Sequence, residues 1–152
     1  MKITYFGVLV LCGCTVIGTF IFGFFVQMEN RMITLNLNTD ADKADEILGR
    51  INSILKLLDK ICETTKNTEI KNKLNGISKD IKSNSQFFIT DEDVLDWKIV
   101  NSVQAQIFLA IDSAKETKNE WNKNGVLEKM VITFENHALN EMHFINRLQS
   151  LE

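Results

Sequence analysis

The chain has no proline, two histidines, one tyrosine and three cysteines among its 152 residues. Proline averages about 5% of residues and is favoured in the turns of sheet-rich domains, so its absence predicts long helices with short connections. Cys12 and Cys14 fall inside an apolar run, leaving Cys62 alone in the polar remainder, which excludes a disulfide framework. Cys62 follows Ile61 at the end of an apolar stripe. It reads as a small buried hydrophobe, with an intermolecular disulfide as the alternative.

A basic surplus is also missing. Lys and Arg number 17 against 20 Asp and Glu, for a formal net charge of −3. Nucleic-acid binding needs a concentrated basic surface, and a polybasic grip on anionic lipid needs the same, so neither is expected. There is no glycine-rich phosphate loop and no serine–histidine–acid pattern in the sequence, and Cys62 has no activating neighbour. An enzyme is not expected.

One long apolar run is present. Residues 3–27 carry no charged side chain. About 20 apolar residues span a bilayer as a helix, the one conformation of a single segment that satisfies its own backbone in lipid. Tyr5 sits near one end of the run, and Gln27, Glu29, Asn30 and Arg31 mark the other return to water. A cleaved signal peptide is the competing reading, but its apolar core is shorter and ends in a small-residue site. In a further variant, Leu11-Cys12-Gly13-Cys14 resembles a bacterial lipobox with Cys14 as the lipidated residue. Lys2 on one side and Arg31 on the other favour a cytoplasmic N-terminus and an exported domain by a thin margin. Within the run, Cys14, Thr15, Gly18, Thr19 and Gly23 place small residues one turn apart, a face through which transmembrane helices approach closely.

Beyond the run, residues 32–38 alternate apolar and polar without a partner strand downstream, and read as an extended linker. Thr39-Asp40-Ala41-Asp42 has the form of a capping box. Behind it Ala44, Ile47, Ile51, Ile54, Leu58 and Ile61 recur at spacings of three and four, predicting an amphipathic helix over 40–64. Ile70, Leu74, Ile77 and Ile81 form a second stripe capped by Asn67 or Thr68. Gly76 inside it costs about 1 kcal/mol relative to alanine, which makes this the weakest expected helix. Thr90-Asp91-Glu92-Asp93 reads as another capping box, starting a third helix whose stripe is Val100, Val103, Ile107, Ala110, Ala114 and Trp121, stopped by Asn124-Gly125. A fourth helix is expected over 126–148, with Leu127, Phe134, Ala138, Ile145 and Leu148 inward.

The expected fold class is therefore all-α: an N-terminal transmembrane helix (1–27), a short extended linker (28–39) and an antiparallel four-helix bundle (40–152). Intermolecular coiled coils are the alternative use of the same stripes, above all for the first helix.

Candidate chemistry is sparse. His137 and Glu141 stack four residues apart on one helix and offer two metal ligands, but His143 lies about 120° away around that helix. No metal or cofactor site is expected. Asp91, Glu92, Asp93 and Asp96 gather acid where the third helix is expected to begin, as its dipole favours. Asp93 and Asp96 share an angular face with Val100 and Val103, and Trp97 lies off the stripe near Phe87 and Phe88. Trp97, Asp93, Asp96, Phe87 and Phe88 thus form the candidate partner interface. The leading expectation is a membrane-tethered interaction module, an accessory or inhibitory subunit acting on another membrane or envelope protein or assembling with itself. Alternatives are a small-ligand sensor bundle with Asn101 or Gln104 in an interhelical pocket, and a metal-dependent bundle enzyme using His137 and Glu141.

Overall fold

A computed structural model describes residues 39–123 and 125–152. The expected transmembrane helix, the linker up to Asn38 and the small-residue face of Cys14, Thr15, Gly18, Thr19 and Gly23 lie outside these residues. Among the described residues, no helix is long and apolar enough to cross a membrane. They are all-α, with four helices: α1 (Asp40–Thr64), α2 (Thr68–Ser85), α3 (Trp97–Lys115) and α4 (Val126–Gln149), plus a 3-10 segment (Glu116–Lys123) between α3 and α4.

The start of α1 is fixed locally. Thr39 Oγ1 accepts the Asp42 amide at 3.1 Å, while Asp42 Oδ2 accepts the Thr39 amide at 3.2 Å, a reciprocal pair that satisfies two otherwise orphaned donors. The stripe behind it is buried as expected, joined by Leu55 and Cys62. α2 is capped by Asn67, whose Oδ1 accepts from the amides of Glu69 and Ile70. Its inner face is Ile70, Leu74, Ser78, Ile81 and Ser85, so Ile77 is only half-buried and Ser78 takes its expected place. The serine is tolerated there because its hydroxyl bonds Asp59 of α1 at 3.3 Å.

Between α2 and α3 the expectation fails. Thr90 does not cap a helix. Its Oγ1 accepts the amides of Glu92 and Val94, and its own amide donates to the Val94 carbonyl at 2.9 Å, which folds residues 90–94 into a tight turn. Asp93 takes a left-handed φ of 57° there, and Ile89 and Leu95 form an isolated antiparallel bridge. The helix starts only at Trp97, capped by Asp96 through the amides of Lys98 and Ile99. Tertiary demands explain the delay: Phe88 and Leu95 are both buried, and the Leu95 amide is donated across to Asp40 of α1 at 3.0 Å.

At its other end α3 stops before the expected Asn124-Gly125. Val100, Val103, Ile107, Ala110 and Ala114 are buried as expected, but the chain tightens into the 3-10 segment at Glu116. Three residues per turn displaces the α-helical register, so Trp121 leaves the stripe and is half-buried, its indole N–H donating to Thr117 Oγ1 at 3.0 Å.

The helices close a ring, each packing on its sequence neighbours and α4 returning to α1. Asp40, Leu95, Trp97 and Glu152 meet at one end, where Lys43 bonds Asp40 at 3.1 Å and Glu152 at 2.6 Å and the Trp97 indole donates to Glu152. Thr65, Asn67 and Glu120 meet at the other. The directions are thus antiparallel. The interior is aliphatic, with Ile47, Ile51, Ile54, Leu58, Ile107, Phe134 and Ile145 fully buried. Each such side chain contributes about 1.5–3 kcal/mol, so this core outweighs the caps, typically worth about 1 kcal/mol each.

Candidate functional site

The expected acidic and aromatic interface is only partly assembled. Phe87 is 61% exposed, but its neighbour Phe88 is a core residue at 3%. Asp96 is committed to capping α3, and Trp97 is half-buried with its indole bound to Glu152. Asp93 sits in the preceding turn rather than on the helical face of Val100 and Val103, since α3 begins four residues after it. The surface left to a partner is Phe87 and Val94, both exposed, beside the exposed acids Asp91, Glu92 and Asp93. Val94 was not singled out from the sequence, because the expected helix start gave no reason to see it as a turn residue.

The seam between α1 and α4 holds an arrangement that no sequence pattern announces. Ser53 Oγ lies 2.7 Å from His137 Nε2, and His137 Nδ1 lies 3.7 Å from Glu141 Oε1. Glu141 in turn pairs with Arg50 at 2.5 Å, and Arg50 also reaches Glu46 at 2.7 Å and lies 3.4 Å above the Phe144 ring. Serine, histidine and glutamate thus stand in the order of a nucleophile, base and orienting acid. Two features set the geometry apart from that chemistry. The Ser53 hydroxyl donates to the Arg50 carbonyl at 2.6 Å, so the imidazole Nε2 must supply the proton between them. Ser53 also lies mid-helix, where amides are bonded along the helix and leave no pair of donors for an oxyanion. The cluster ties α1 to α4. His143 is exposed, and among the described residues no three His, Cys, Asp or Glu side chains gather to hold a metal ion.

Glu120 dominates the far end. Its Oε1 accepts from the Thr65 hydroxyl at 2.6 Å and the Asn67 amide at 3.2 Å, and its Oε2 from the Lys66 amide at 2.7 Å. Desolvation raises the pKa of this carboxyl, yet those three donors and the Lys66 charge outweigh it and hold it below the usual range. A cavity of about 440 Å³ opens beside it, bordered by Lys66, Asn119 and Val126, but both carboxylate oxygens are already committed to the α1–α2 turn.

Asn101 and Gln104, each a candidate to line an interhelical pocket, are placed differently. Asn101 is exposed, and Gln104 is buried with its amide donating to Asn146 Oδ1 at 3.0 Å, joining α3 to α4. Cys62 is buried, and desolvation foremost, with Asp59 nearby, pushes its thiol pKa up. Comparison of the chain with protein-family models, with curated proteins and with solved structures returns no match.

Proposed function

We propose that this protein is a membrane-tethered helical interaction module, an accessory or inhibitory subunit that acts through another membrane or envelope protein. The observation that carries the reading is the turn between α2 and α3, where Phe87 and Val94 stand exposed among Asp91, Glu92 and Asp93. Single exposed apolar side chains are ordinary, but an aromatic and a valine both exposed on one short connection, with three exposed acids between them in sequence, fit a binding anchor with a polar rim. The uncharged run over residues 3–27 supports a single-pass anchor, and the balance of Lys2 against Arg31 supports export of the bundle.

The test is a pull-down by C-terminal tag from gently solubilised native membranes, run beside Phe87→Ser with Val94→Ser. A stoichiometric partner retained by the parent and lost from the double variant, with unchanged thermal stability, supports the reading. Recovery of the protein alone sinks it.

A further inference from the structure

We infer that the groove between α1 and α4 beyond His137 binds a single-chain anionic amphiphile, a fatty-acid carboxylate. The upper part of this seam is closed by the Arg50–Glu141 and Ser53–His137 contacts. Past them the helices leave a cavity of about 290 Å³ with Leu57, Met130 and Val126 as its apolar floor and Lys60, Lys129 and Thr133 around it. Val126 is 48% exposed, and Leu57 and Met130 are half-buried, so the groove presents apolar side chains to solvent.

The two lysines select the occupant. Lys43 and Arg50 of the same seam are each paired with an acid, whereas neither Lys60 nor Lys129 makes an ion pair among the described residues. Two unpaired ammonium groups beside an apolar floor complement an anion attached to hydrocarbon. Size argues for one acyl chain. The volume lies at the small end of ligand cavities, roughly 300–1,000 Å³, and the floor is far below the ~800 Å² per partner of a stable protein interface. From Val126 to Thr133 the groove runs about 10 Å along α4, at 1.5 Å per residue. Hydrocarbon lies along Leu57, Met130 and Val126, and the carboxylate lies between Lys60 and Lys129. This site is separate from the Phe87–Val94 turn, and its variants leave that turn untouched.

The test uses the full chain in phosphatidylcholine nanodiscs, with methyl-labelled methionine, titrated with decanoate at measured free concentrations. The Met130 methyl signal should shift saturably while the buried Met142 signal stays fixed. Octanoate, two methylenes shorter, should bind about fifteenfold more weakly, since each buried methylene is worth roughly fourfold. Lys60→Glu with Lys129→Glu should weaken decanoate at least tenfold while circular dichroism and Tm report a folded bundle. Should that pair unfold, Lys60→Gln with Lys129→Gln gives the same reading with a smaller loss. A Met130 signal indifferent to millimolar decanoate would overturn the assignment. So would binding unchanged by the lysine variants, or decanol binding as tightly as decanoate.

Discussion

Glu120 Oε1 lies 2.6 Å from the Thr65 hydroxyl, so one side chain of the 3-10 segment holds the turn between α1 and α2. Because its folded pKa is depressed, its stabilisation is fully present above the ordinary carboxylate range and is lost as pH falls through the folded value. Asp40 at the opposite end is also held below its usual range, chiefly by the Leu95 amide and then by Lys43, and follows the same sign. Glu120→Ala should cost about 2 kcal/mol at neutral pH, and Glu120→Gln about 1 kcal/mol. Both should flatten the acid limb of stability against pH, read from urea midpoints between neutral and acid buffers. An acid limb unchanged by Glu120→Gln would remove this residue from the account.

Gly49 and Gly76 occupy helix interiors, and a Cβ built on either meets open space. Gly49→Ala and Gly76→Ala should each stabilise by up to about 1 kcal/mol, and the pair should add. Thermal and urea unfolding measure this directly.

Asp93 adopts φ 57° without glycine's freedom. Asp93→Gly relieves that cost and should stabilise by about 0.5–1 kcal/mol, whereas Asp93→Val should destabilise. Comparing the two by chemical denaturation separates backbone strain from the loss of the carboxylate, which both variants share.

Arg50 and Glu141 join α1 to α4 in a half-buried setting. A double-mutant cycle with Arg50→Ala and Glu141→Ala should give a coupling of about 0.5–1 kcal/mol that shrinks in high salt. Arg50→Ala alone should cost more than its charge implies, because its stem and guanidinium also cover Phe144.

The Cys62 thiol is buried, and its pKa is raised. Thiol reagents at neutral pH should label it only in denaturant, at a rate that follows global unfolding. Rapid labelling in native buffer would contradict the packing of α1.

Legibility in the sequence followed the range of the interactions involved. Residues 40–64 announce α1 at both ends, because Thr39 and Asp42 cap it within one turn and the isoleucine stripe runs without interruption. The same local pattern at Thr90-Asp91-Glu92-Asp93 misleads, since an amide 55 residues from Asp40 decides where the chain turns. Trp121 is misplaced for a related reason: a change of helical pitch at Glu116 has no periodic signature of its own. Phe87 is exposed and Phe88 buried, a difference set by the bridge at Ile89 and Leu95 rather than by residue type. Ser53 with His137, and Glu120 with Thr65, are meetings of distant segments that only the closed ring creates.

That closure has a kinetic consequence. The contacts of α1 with α4 and the residues just after it span 84 residues at Ser53–His137 and 109 at Lys43–Glu152, so they bear the largest loop-closure entropy among the described contacts. The hairpins of neighbouring helices can form early, whereas this seam forms late, and substitutions along it should accelerate unfolding more than they slow refolding. During synthesis α1 emerges first and waits with one flank bare until α4 follows. In that interval the α4 of a second nascent chain could fill the vacancy, making an exchanged dimer the characteristic misassembly of this fold.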